Sequence, residues 1–132
     1  MSAESTPNVA DFPRLTRRIT ADMVRAYGRV NGDRNMIHYD AAAARAAGYA
    51  DTVVHGAITA AILGEACHRH FGADWPLRGE LRLTFIQPLY VGDSVTTCAA
   101  GQPEDGSALA VWCENGTGER IAVGMAALHP AG

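Results

Sequence analysis

The densest polar stretch in an otherwise apolar chain is Asn31-Gly32-Asp33-Arg34-Asn35-Met36-Ile37-His38. Asp33 and His38 stand five residues apart, among turn formers rather than along a regular helix. An irregular loop can bring such a pair together on one side. A carboxylate and an imidazole sharing one water form a general acid–base unit, worth on the order of 10²–10⁴ in rate. The residues alone leave a second reading open, in which Asp33 turns the backbone and His38 is a satisfied buried imidazole. A structure that points the two side chains into different cavities would exclude the shared-water chemistry.

A second polar element, His55-Gly56, opens a long apolar segment. A helix that starts there presents unpaired N–H groups and a positive dipole end. Gly56 has no side chain to obstruct an approaching carbonyl oxygen, so its N–H could act as an oxyanion donor, worth roughly 10²–10³ in rate. Helix–sheet packing accounts for a glycine at this position equally well. His55 itself reads as a capping or packing imidazole.

Elements to position these residues are visible on either side. Thr20 is a good N-cap for a helix whose stripe is Met23, Val24, Tyr27 and Val30, stopped by Asn31-Gly32-Asp33. Asp40 caps a short helix through Ala47 that closes at Gly48. From Gly56 to about His70 hardly any polar face remains, which predicts a helix buried on all sides, with small residues admitting close neighbours. Beyond Trp75-Pro76, Leu81, Leu83 and Phe85 alternate with Arg82 and Thr84, as in a strand with one wet face. Ser94 to Ala100, Ala108 to Glu114 and Arg120 to Leu128 read as further strands, with a turn at Asn115-Gly116. The first dozen residues read as a loose lead-in. The order predicts a single α+β domain over 1–132, an antiparallel sheet wrapped around one helix.

Composition excludes several classes. A chain of 132 residues that is 48% hydrophobic and 19% charged can build a core. The net charge of −3 and the scarcity of aromatic side chains argue against nucleic-acid binding. No apolar run reaches the roughly 18 residues of a membrane span. The polar start lacks a signal-peptide pattern, which leads us to expect a cytoplasmic protein with no membrane partner. All eleven basic residues are Arg, which reflects coding composition rather than chemistry. Cys67, Cys98 and Cys113 form no metal-ligand pattern and read as buried reduced thiols. Cys67-His68-Arg69-His70 reads as a helix end, because His68 and His70 diverge on a helix. No metal is expected.

Three ordered stretches carry a family resemblance. Tyr27 to His38 resembles the hydratase motif of the (R)-specific enoyl-CoA hydratases and MaoC-like dehydratases. Val53-Val54-His55-Gly56 resembles the start of that family's central helix, and Leu83 to Asp93 its following strand and turn. The resemblance runs from about Thr20 to the last strand. It implies the hot-dog fold, with Asp33 and His38 as the catalytic pair, Asn35 as support for the loop, and the Gly56 N–H as the group that polarises a thioester carbonyl. It implies a CoA or acyl-carrier-protein thioester as substrate, no cofactor, and a homodimer. Met36 stands where the family usually has proline, Asn31 where Ser or Thr is common, and Gly64 where some members place serine. Arg29, Arg34 or Arg45 could meet the phosphates of a carrier or an acidic carrier protein, with solvated surface charge as the plainer reading. Three rival readings remain: a hot-dog thioesterase, a polyketide-pathway tailoring enzyme, and a non-catalytic subunit of a heterodimeric dehydratase.

Overall fold

The computed structural model describes residues 9–101 and 108–131. Five antiparallel strands, β1 (Thr16–Arg18), β2 (Gly79–Phe85), β3 (Ser94–Ala100), β4 (Ala108–Glu114) and β5 (Arg120–Leu128), form one sheet in the order β1-β3-β4-β5-β2. Four helices accompany it: α1 (Ala21–Asn31), α2 (Ala41–Ala46), α3 (Gly56–Phe71) and α4 (Trp75–Arg78). Helix α3 lies against the sheet, and Ile58, Leu63, Ala66 and Cys67 join Val95, Leu109, Val111, Cys113, Ile121 and Ala122 in one buried cluster. The order of elements predicts this α+β pairing of one sheet with one helix, and it is the hot-dog architecture that the resemblance implies.

The caps fall where the residue types place them. The Thr20 hydroxyl accepts the Met23 N–H, and the Asp40 carboxylate accepts the Ala42 N–H. Gly32 ends α1 at φ +73°, a conformation that favours glycine, and it turns the chain into the polar loop.

Several expectations need correction. Within the lead-in, Val9–Asp11 form a 3-10 turn and Phe12 is a core residue; beyond it the sequence reading names no element before Thr20, where Leu15 and Ile19 are also core residues and β1 pairs with β3. Residues 1–8 lie outside the described residues. The inner face of α1 is centred on Val24 and Gly28, while Val30 is 87% exposed, so that end of the expected stripe faces outward. Helix α3 is not enclosed on all sides. Its buried residues form one face, and Ala57, Ala61 and His68 are exposed. One sheet can cover only one side of a helix. The three cysteines are free and buried, as expected. His68 is exposed and His70 buried, so the two do diverge. Among the described residues no helix is long and apolar enough to cross a membrane.

Candidate active site

Three successive side chains fold the loop after α1. Asn31 Oδ1 accepts the Asp33 N–H (2.8 Å), Asp33 Oδ1 accepts the Asn35 N–H (2.9 Å), and Asn35 Oδ1 accepts the Ile37 N–H (3.3 Å). Each is a local turn in which a short polar side chain reaches the backbone two residues on. Asn35 also caps the 3-10 turn Met36–His38, which carries His38.

The next segment is stitched down on both sides. Val53 N–H donates to the Ile37 carbonyl (3.0 Å), Val54 N–H to that of Leu89 (2.8 Å), and Val91 N–H to that of Thr52 (2.9 Å). His38 Nδ1 lies 2.8 Å from the Val53 carbonyl oxygen. A carbonyl only accepts, so Nδ1 carries the proton and the neutral ring presents a bare Nε2. That Nε2 is 3.5 Å from Asp33 Oδ2. In the neutral ring, the carboxylate and the imidazole therefore face each other as two acceptors.

His55 completes the group. Its Nε2 is 3.3 Å from the same Asp33 Oδ2 and 3.2 Å from the Tyr39 hydroxyl, and its ring stacks on His38 at 3.7 Å. Tyr27 meets the His55 ring edge-on at 4.9 Å. The His55 side chain is 4% exposed, and its Nδ1 is buried with no hydrogen-bond partner among the described residues. Burial, seconded by the adjacent His38, lowers the His55 pKa, while Asp33 opposes that shift. The Tyr39 hydroxyl donates to the Asp33 carbonyl (2.9 Å), and burial followed by the Asp33 charge raises its pKa. Gly28 makes room for that hydroxyl, since a Cβ there would stand 2.0 Å from it.

Gly56 opens α3, and no side chain caps that end. Its N–H has no acceptor within its own helix. The Phe85 ring lies across it, 2.9 Å from where a Cβ would be. His38 and Gly56 line a common cavity of about 240 Å³ with apolar walls that include Ile37, Val54, Leu89 and Ile121. Asp33 lines a different, larger cavity of about 540 Å³, together with Tyr39, Met36, Arg25, Arg29 and Arg34. Asp33 and His38 thus line different cavities, the arrangement set out above as excluding a shared water, yet the two reacting atoms face each other directly, so cavity lining alone does not decide the question. Their separation decides what they can share: heavy atoms 3.5 Å apart can both contact one water at about 2.8 Å. Arg45 does not line the larger cavity.

Asp33, His38 and His55 also offer three ligand atoms within 4.8 Å of one another, the set among the described residues that could hold a metal ion. A cation would need bare Nε2 atoms on both imidazoles. His38 offers one. His55 Nε2 faces the Asp33 carboxylate and the Tyr39 hydroxyl, and offers one only when the ring proton sits on Nδ1.

Sequence reading named Asp33, His38, Asn35 and Gly56, and the structure brings Asp33 to His38 and Gly56 to the His38 cavity. Of the capping or packing roles read for His55, the ring does pack, between Tyr27 and His38, but it makes no cap hydrogen bond and also faces the Asp33 carboxylate. The sequence reading gave Tyr39 no part. The available signal was Gly28, a glycine inside a helix with no turn to explain it.

Residues 5–107 match the family model described as MaoC like domain. The chain belongs to the MaoC-like family. A mitochondrial 3-hydroxyacyl-[acyl-carrier-protein] dehydratase of Arabidopsis thaliana is 30% identical over 96 residues, 72% of this chain and 56% of that protein. The chain therefore spans little more than half the length of this plant relative. The (R)-specific enoyl-CoA hydratase of Aeromonas caviae is 32% identical over 100 residues, 73% of this chain and 71% of that protein. The solved structure of an (R)-hydratase from A. caviae involved in PHA biosynthesis superimposes with a TM-score of 0.68 at 24% identity, covering 89% of this chain and 93% of that one. The last of these shows the fold. The two sequence matches show similarity to hydratases and dehydratases of acyl thioesters.

Proposed function

We propose that the protein interconverts trans-2-enoyl and (R)-3-hydroxyacyl thioesters by adding or removing one water. The observation that carries this reading is the pair of facing acceptors, Asp33 Oδ2 and His38 Nε2, 3.5 Å apart. A water has two protons, and it satisfies both acceptors while keeping a lone pair for attack. The thioester oxygen accepts the Gly56 N–H at the start of α3, which makes C3 electrophilic. The water oxygen bonds to C3 as one member of the pair takes its proton. The C2–C3 π electrons move toward the carbonyl, and the resulting enolate takes a proton at C2 from the pair on the same face. Asp33 and His38 act as one unit through the cycle. No step draws on a cofactor.

The cavity that His38 and Gly56 share supports an apolar acyl chain in contact with His38. Arg25, Arg29 and Arg34 around the larger cavity support an anionic carrier, the phosphates of CoA or an acidic carrier protein, on the Asp33 side. A homodimer is supported by the exposed small-residue face of α3 and by β2, an edge strand that ends in the half-exposed Phe85 at the acyl cavity and is followed by the half-exposed Ile86.

The test is loss of enoyl absorbance when purified protein meets crotonyl-CoA, longer enoyl-CoA esters and their carrier-protein counterparts. Asp33→Asn and His38→Ala should each lower kcat by about 10²–10⁴. Equal background with wild type and both variants on every ester would overturn the proposal. Release of free thiol without hydration would point to a thioesterase.

A further inference from the structure

We propose that Tyr39 and His55 are a positioning pair for Asp33: Tyr39 holds His55 as the Nε2–H tautomer, and that N–H fixes the carboxylate oxygen that faces His38. The activity arm of the test rests on the hydratase reading; the proton positions follow from the hydrogen bonds alone. Tyr39 has one hydroxyl hydrogen, and the Asp33 carbonyl, 2.9 Å away, can only accept it. Toward His55 the Tyr39 oxygen is therefore the acceptor, and His55 Nε2, at 3.2 Å, must be the donor. The same nitrogen lies 3.3 Å from Asp33 Oδ2, an electrostatic contact off the line of a good hydrogen bond.

The other side of the ring agrees. Nδ1 of His55 is buried with no hydrogen-bond partner among the described residues. A bare nitrogen there leaves one acceptor unsatisfied, whereas a second proton there, added to the Nε2–H, would bury an unpaired donor and a charge beside the stacked His38 ring. His55 is thus a neutral single donor. The two stacked imidazoles are then held in opposite tautomers, His38 by the Val53 carbonyl and His55 by Tyr39. Asp33 is held by hydrogen bonds at three of its polar atoms, its N–H to Asn31, its carbonyl from Tyr39 and its Oδ1 from Asn35, and His55 Nε2 stands 3.3 Å from the fourth, Oδ2. His38 is left to share the water. Gly28 belongs to the same device, because any side chain at that position displaces the Tyr39 hydroxyl.

The direct test is long-range ¹H–¹⁵N correlation of the histidine rings in the whole protein, with the His55 signals identified by their loss in His55→Gln. We expect His55 as the Nε2–H form and His38 as the Nδ1–H form, and Tyr39→Phe should shift the His55 ring nitrogens toward a mixture of tautomers. On activity, Tyr39→Phe should lower kcat about 10-fold with KM within 2-fold, by analogy with other orienting partners of a reacting group. His55→Leu should fall further. His55→Gln, whose side-chain N–H can occupy the Nε2 position, should recover at least about 10-fold over leucine. An Nδ1–H tautomer for wild-type His55, or Gln and Leu variants of equal activity, would overturn the pair. If wild type hydrates no ester, the hydratase reading fails while the tautomers still decide this one. If Asp33→Asn and His38→Ala abolish hydration but Tyr39→Phe changes neither kcat nor the His55 nitrogens, the positioning pair fails and the hydratase reading stands.

Discussion

Gly28→Ala isolates the contact that holds the loop. Alanine is the better helix residue by about 1 kcal/mol, so an exposed glycine inside α1 would gain stability from the change. Here the new Cβ would stand 2.0 Å from the Tyr39 hydroxyl oxygen and 2.8 Å from its Cζ. The ring must swing away, and it loses its hydrogen bonds to the Asp33 carbonyl and to His55. Each is worth about 1 kcal/mol net, and overpacking adds about 1–3 kcal/mol. Against the helix gain, the net loss should be about 2–4 kcal/mol. Urea unfolding at fixed protein concentration reads it as a lower midpoint with unchanged slope. In a Tyr39→Ala background the obstacle is gone, and the same change should stabilise by about 1 kcal/mol. That reversal of sign is the coupling between the two residues. If Gly28→Ala stabilises both backgrounds alike, Tyr39 does not sit where this account needs it.

Gly56→Ala places a Cβ 2.9 Å from the end of the half-exposed Phe85 ring, which can turn aside, so stability should change by under about 1 kcal/mol while kcat falls roughly 10²-fold if a thioester oxygen approaches that N–H. Paired unfolding and hydration assays separate the two effects. His55 and His70 both titrate below the usual histidine value of 6.5, chiefly because they are buried, so between those lowered values and 6.5 the unfolded chain binds more protons than the folded one. Their contribution to stability is complete above pH 6.5 and is lost as pH falls below it, and urea midpoints from pH 7.5 to 5 should decline, less steeply in His70→Gln. Burial pushes the Cys67 and Cys113 thiols up to about 12, so iodoacetamide at pH 8 should label neither in the folded protein and both once it is unfolded, as read by mass spectrometry.

The legible parts of the fold are those with local causes. Thr20 and Asp40 cap their helices through bonds to residues two or three positions on, and β2 to β5 announce themselves by alternation or by runs of apolar residues between turns. β1 is three residues long and two of them are arginine, so only its pairing with β3 makes it a strand. The open face of α3 was not legible either, because an all-apolar sequence does not say how many neighbours cover it. In the site, Asp33, Asn35 and His38 share one loop and its turn chemistry. Tyr39 and His55 act across 16 residues of sequence, through a ring stack and a shared hydroxyl that no spacing rule encodes.

The central claim is that Asp33 and His38 share one water and work on one face of the substrate. Hydration of crotonyl-CoA in D₂O tests it, with the configuration of the deuterium at C2 and of the hydroxyl at C3 read by NMR of the product. One shared water between two acceptors 3.5 Å apart predicts syn addition, a single C2-deuterated diastereomer of the (R)-3-hydroxy thioester. Deuterium on the opposite face, or at both C2 positions in equal amounts, would contradict it.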